Sequence, residues 1–182
     1  MKKLLLHSCC GPCSSGVLDD LRKEFDITIF FYNPNIYPTE EYEKRAHEQE
    51  KYLKQIGISY IICDYNPNEY TDKIKGLEDE PEGGSRCEKC FRLRLEATAD
   101  YAKKHNYDIF TTTLSVSPHK NFQLINEIGK EMSVKYDIPF MEANFKKNDG
   151  YLKSINNSKL YNIYRQNYCG CKYSMWFLKK EK

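Results

Sequence analysis

The eight cysteines fall into tight groups: Cys9, Cys10 and Cys13, then Cys87 and Cys90, then Cys169 and Cys171, with Cys63 alone. Near-adjacent cysteines are poor loop-closing staples, so clustered thiols in a patterned chain read as metal ligands or redox groups. In HSCCGPC, residues 7–13, a turn leading into a helix lets neighbouring thiols converge. A helix N-terminus also favours the thiolate that binds metal. Cys10 and Cys13 stand one helical turn apart, and Gly11 admits a bulky inorganic group close to the backbone. In RCEKC, residues 86–90, Cys87 and Cys90 repeat that spacing at the start of a second helix. Arg86, Lys89, Arg92 and Arg94 surround them and would stabilise thiolates or an anionic cluster.

Two ligands from each of two remote stretches make a closed four-thiolate site, which suits zinc or an iron–sulfur cluster equally. The spacing is neither a ferredoxin run nor a zinc ribbon. Cys169-Gly170-Cys171 could close a small, strained and therefore oxidising disulfide, with Gly170 relieving part of the strain. Two further metal ligands, or inert thiols, are the other readings of that pair. The count divides into four thiols for metal, two for redox chemistry, and two spare: one of the first three, and Cys63. Cys63 ends an apolar strand and reads as core, and His7 reads as a hydrogen-bonded structural histidine in preference to a ligand.

Strands are expected at residues 3–7, 27–32, 58–63 and 108–114. Val17, Leu18, Leu21 and Phe25 recur at helical spacing. Thr39 is expected to cap a helix with an acidic first turn that Gly57 ends. A third helix carries Phe91, Leu95, Ala99 and Ala102. A fourth starts with Ser117 as cap and Pro118 as first residue, and runs through Phe122, Ile125, Gly129, Met132 and Tyr136. Strands alternating with helices predict an α/β fold with a parallel, doubly wound sheet and ligands at the strands' C-terminal ends. The first cysteine group lies where the first strand ends. Residues 76–85 are expected to be a mobile loop. The chain reads as a single domain, residues 1–182, with residues 151–182 covering the site.

A length of 182 residues suffices for a core without staples. A net charge of +2 confines any nucleic-acid site to a local patch. The mean hydropathy of −0.74, and no apolar run near the roughly 20 residues a bilayer needs, predict a soluble protein with no membrane association. Only three leucines precede His7, too few for the roughly 7–15 apolar residues of a signal peptide, so a cytoplasmic location is expected.

HSCCGPC, RCEKCFRLRLEATA, TTTLSVSPHKN and LYNIYRQNYCGC together resemble the QueH family of epoxyqueuosine reductases. The resemblance spans nearly the whole chain. It implies a Rossmann-like fold related to the PP-loop, adenine nucleotide alpha hydrolase-like proteins. Here CCGPC replaces their serine- and glycine-rich loop, so nucleotide hydrolysis is not expected. It implies a [4Fe–4S] cluster on Cys9, Cys10, Cys87 and Cys90, and a redox-active pair at Cys169 and Cys171. It also implies an adjacent mononuclear iron, for which Cys13 is the first candidate ligand. The implied substrate is tRNA carrying epoxyqueuosine at the wobble position, reduced to queuosine with an external electron donor and no evident partner protein. His119 stands where the family resemblance suggests an aromatic such as tyrosine, but the following Lys120 is in place.

Arg92, Arg94, Lys120, Lys146, Lys147, Arg165 and Lys172 could form a phosphate-binding rim; Lys120, Arg165 and Arg92 are the substrate-binding candidates. Tyr161, Tyr164, Tyr168 and Tyr173 read as packing or base-stacking residues ahead of proton donors. Two other functions fit the same thiols: a zinc-stabilised RNA-binding module, and a thiol–disulfide oxidoreductase using Cys169 and Cys171 alone.

Overall fold

The computed structural model describes residues 1–142, 144–145 and 149–175. Leu4, Leu5 and Leu6 are completely buried in β1 (Lys2–His7), as a strand covered on both faces requires. β1 pairs in parallel with β2 (Phe25–Phe31) on one side and β4 (Ile109–Thr112) on the other, and β2 pairs with β3 (Ser59–Ile62). The order is β3-β2-β1-β4, so the connections reverse direction between β1 and β4. Ligands bind in the crevice outside the strand ends at such a switch point.

Alternate residues feed two cores. Leu5, Phe30 and Phe110 face α5 (Ser85–Lys104) and α6 (Phe122–Tyr136), which supply Phe91, Leu95, Ala99, Ile125 and Ile128. Leu4, Leu6, Ile27 and Ile29 face the other way, onto Val17, Leu18, Tyr52, Leu53, Phe145 and Ile163. Tyr52 and Leu53 belong to α3 (Thr39–Ile56). The expected α/β fold with a parallel sheet flanked by helices is what the chain forms.

Several local expectations change. The apolar spacing at Val17–Phe25 is not one helix: α1 (Gly11–Ser15) and α2 (Leu18–Leu21) are separate short turns, and Phe25 opens β2. Pro38 takes the cap position of α3 and Thr39 is its first residue, while Gly57 ends it at φ 71°, in the left-handed region. α6 begins at Phe122 because the Asn121 side chain accepts from the Leu124 amide at 3.2 Å, and Ser117 and Pro118 lie in the preceding turn. Two helices carried no periodic signal: α4 (Pro67–Lys73), capped by Asn66, and α7 (Gly150–Leu160). Residues 76–84 form a run of turns and Ser85 already opens α5; the Glu78 and Glu80 carbonyls are gripped by buried Arg86. Among the described residues, no helix is long and apolar enough to cross a membrane.

Candidate functional site

β1 ends at His7, and the chain turns through Ser8, Cys9 and Cys10 into α1 at the switch point. The turn is fixed by four hydrogen bonds to three residues. The Ser8 amide donates to Phe30 O at 3.0 Å, and the Ser8 hydroxyl donates to Gln49 Oε1 at 2.8 Å. Asn33 Nδ2 donates to Ser8 O at 2.8 Å, and Gln49 Nε2 to Ser14 Oγ at 2.9 Å. Held this way, the sulfurs of Cys9, Cys10 and Cys13 lie within 4.8 Å of one another and could hold a metal ion. Hydrogen bonds from Cys10 and then Cys13 hold Cys9 well below the usual thiol range. Cys13 is driven well above it, through its hydrogen bonds to Cys10 and Cys9 and by burial. One thiolate therefore forms readily, and further ones call for a cation. Gln166 reaches in from the C-terminal segment, donating from Nε2 to Cys10 Sγ at 3.0 Å.

Cys87 and Cys90 sit in the first turns of α5, outside that compact triad. Cys87 Sγ accepts from the Gly83 amide at 3.2 Å. Burial raises both thiols, Cys90 to about 12, and the charges of Cys169 and Cys171 add to the effect. Cys171 is buried in one apolar cluster with Cys90, Tyr70, Ile74 and Leu93. Tyr70 hydrogen-bonds to Cys171, and its phenol is held protonated chiefly by burial. Sequence reasoning missed Tyr70, which lies on a helix with no readable periodicity. All eight cysteines are free thiols.

Two cations join the thiol groups. Arg94, 2% exposed, stays charged against its burial because Cys90, Cys169 and Cys9 surround it. Lys120 is held charged by Cys169, Cys9 and Cys13 in the same way. The Arg94 guanidinium donates from Nη1 to Asn33 Oδ1 at 3.5 Å, and its Nη2 is buried without a protein partner. Gln166 Oε1 is likewise buried and unpaired. Orphaned polar atoms on two side chains beside the thiols mark a place for a further polar group. A soft, anionic metal centre fits that donor set: thiolates to bind it and buried cations to balance it.

The sequence profile of the QueH family, epoxyqueuosine reductase QueH, matches residues 4–176. Epoxyqueuosine reductase QueH of Staphylococcus epidermidis is 46% identical over 93% of this chain and 74% of its own length. The enzyme of the same name from Streptococcus pyogenes is 42% identical over 94% of this chain and 69% of its own. The chain belongs to the QueH family. A solved structure from Methanocaldococcus jannaschii, described as a predicted subunit of tRNA methyltransferase, shares the fold alone. Its TM-score is 0.58 at 13% identity, covering 87% of this chain and 74% of that one.

As a QueH family member the protein is an oxidoreductase. His7 accepts at Nδ1 from the Thr112 hydroxyl (2.9 Å) and donates from Nε2 to Tyr32 O (3.1 Å), since that carbonyl can only accept. Burial, then Arg94, lowers its pKa to about 4, so it is a neutral structural residue with both nitrogens engaged. Cys63 is half-buried against the α5 and α6 core, outside the triad. Arg92 is ion-paired with Glu88 at 3.0 Å and with Glu131. Arg165 donates to Ser154 O and Ser158 Oγ, both at 3.0 Å, tying the C-terminal segment to α7. Lys172 lies over the Tyr173 ring, and Lys146 and Lys147 lie outside the described residues. The tail tyrosines pack as read: Tyr161 edge-on to Tyr52, Tyr164 and Tyr168 hydrogen-bonded to Glu41 and Tyr37 O, Tyr173 under Arg86.

Proposed function

We propose that this protein reduces the epoxide of epoxyqueuosine, at the wobble position of tRNA, to the alkene of queuosine. The observation that carries the reading is Arg94: its buried guanidinium donates from Nε to Cys90 O at 3.4 Å and from Nη1 to Asn33 Oδ1 at 3.5 Å, and Asn33 Nδ2 holds Ser8 O beside Cys9 at 2.8 Å, so one cation ties the two remote thiol stretches together. The ligands proposed for a [4Fe–4S] cluster are Cys9, Cys10, Cys87 and Cys90. Cys13, third member of the compact triad, is proposed as ligand of an adjacent iron. Bound there, such a centre supplies one-electron transfer and Lewis-acid polarisation of the epoxide oxygen.

The chain's own residues supply the rest. Conversion of an epoxide to an alkene takes two electrons and two protons and releases the oxygen as water. Cys169 and Cys171 together hold two electrons and two protons as thiols and give up both on closing to a disulfide. An external electron donor then reopens the pair. Arg94 and Lys120 offset the charge of thiolates and centre, and Tyr70 holds Cys171 by its phenol. Of the expected cover 151–182, residues 151–175 are described and act within the single domain to close the site, Gln166 lying on Cys10 and Ile163 against Gly11, while residues 176–182 lie outside the described residues. Lys120, Arg165 and Arg92 are proposed phosphate contacts, Arg92 by exchanging Glu131 for RNA. The wobble base must unstack to enter, and tRNA as substrate places the work in the cytoplasm.

Anaerobic purification with iron and acid-labile sulfide analysis, followed by reaction with epoxyqueuosine-containing tRNA and a chemical reductant, tests this reading. Brown protein and loss of one oxygen from the nucleoside by mass are expected. Cys87→Ser abolishes both colour and activity, and Cys169→Ser abolishes activity with the cluster spectrum kept. Colourless protein with stoichiometric zinc and no epoxide reduction overturns it.

A further inference from the structure

Arg45 belongs to an exposed, charge-rich helix by sequence, yet only 2% of it is exposed. Its Nε donates to Glu41 Oε1 at 2.7 Å one turn back, which fixes the guanidinium plane. Its other two nitrogens fork onto consecutive carbonyls of the C-terminal segment: Nη1 to Cys169 O at 3.1 Å and Nη2 to Tyr168 O at 3.2 Å. The Tyr168 ring lies 5.1 Å from the guanidinium carbon. Gly170, between the two cysteines, stands at φ 127°, in a region that side chains rarely adopt. A Cβ there would lie 3.0 Å from Arg45 Nη1 and 3.2 Å from Ile36 Cγ1. Gly170 O accepts from the Tyr37 amide at 2.8 Å, and the Tyr168 hydroxyl donates to Tyr37 O at 2.5 Å. Three successive carbonyls around Cys169 are therefore pinned, two of them by one side chain lying 124 residues away in sequence.

The geometry points to Arg45 as the positioning residue of the Cys169–Cys171 pair, holding the Cys-Gly-Cys turn in one conformation so that its two thiols react as a unit. This rests on the proposed redox role of that pair. A turn ordered in advance loses less entropy when the disulfide closes, and reacting groups displaced by about 1 Å can cost about a hundredfold in rate. A lysine keeps the charge beside Glu41 but cannot fork onto two carbonyls.

Arg45→Lys and Arg45→Met in the loaded, full-length enzyme test it through two readouts. In steady-state reduction of epoxyqueuosine-containing tRNA, kcat is expected to fall about tenfold or more in both variants, with KM for tRNA within about twofold. In a glutathione buffer, the two thiols close by passing two electrons and two protons to glutathione disulfide, releasing two glutathiones. Alkylation and peptide mass then give the closed fraction. Its equilibrium constant is expected to fall about tenfold in Arg45→Lys, whose thermal midpoint is checked against the parent. An unchanged closing constant in a folded Arg45→Lys overturns the inference whatever the activity. A fully active Cys169→Ser, run alongside, would instead overturn the redox reading and leave the closing constant to decide Arg45's role.

Discussion

His7 sits two residues before Cys9, with both ring nitrogens engaged by Thr112 and Tyr32. Its buried neutral state has a pH signature. With the pKa lowered from 6.5 to about 4, the unfolded chain binds the proton first, so stability is full above pH 6.5 and is lost as pH falls toward 4. Between pH 7 and 5 this amounts to about 2 kcal/mol, from about 1.4 kcal/mol per pH unit. Denaturant unfolding of the metal-free chain should show that slope, and His7→Gln should remove it. Arg94→Met removes the cation shared by Cys9, Cys90 and Cys169. The midpoint potential of the loaded centre should then move to more negative values, because the buried charge favours the reduced, more anionic state; an unmoved potential in a redox titration would place Arg94 outside the centre's field. The cysteines were legible because adjacent thiols have few other uses. Arg94 was legible as one of the basic residues beside Cys87 and Cys90; Arg45 and Tyr70 were not, since a charged or aromatic residue on an amphipathic helix carries no mark of what it faces.

At the scale of elements, the site depends on how closely α1 approaches α7. Gly16, at the end of α1, has room for no side chain: a Cβ would lie 2.2 Å from the Gly150 carbonyl oxygen, which is backbone and cannot yield cheaply. Gly16→Ala should therefore destabilise the fold by about 1–3 kcal/mol in thermal unfolding and lower metal content through displacement of Cys13. A Tm equal to the parent's would show that the two helices part without cost. The strands were readable from their β-branched and aromatic runs, α3 from its acidic first turn and terminal Gly57, and α5 from the apolar face of Phe91, Leu95, Ala99 and Ala102. The start of α6 was misplaced because Ser-Pro and Asn-Phe both offer a legitimate cap, and only the tertiary path through the Thr113–Val116 turn chooses Asn121.

For the molecule as a whole, the net charge of +2 limits how RNA is held. The proposed phosphate contacts are three: Lys120, Arg165 and, once it exchanges Glu131 for RNA, Arg92. Each phosphate contact on a single-stranded segment contributes about −0.7 to the slope of log K against log salt. Three contacts predict a slope near −2, and a fluorescence titration giving a slope steeper than about −4 would require a larger basic surface. The parallel sheet and the location of the first thiols at its switch point were legible from the alternation of elements. The meeting of the C-terminal turn with α3 was not, because it joins residues more than 120 positions apart through one side chain and two carbonyls.

The arrangement of sulfurs along the chain also sets a timetable. A ribosome releases Cys9, Cys10 and Cys13 before Cys87 and Cys90, and those before Gln166 and the Cys-Gly-Cys turn. Gln166, which rests on Cys10, follows it by 156 positions. The nascent chain thus leaves its three clustered thiols uncovered through most of synthesis, and the side chain that closes over them is made long after they are.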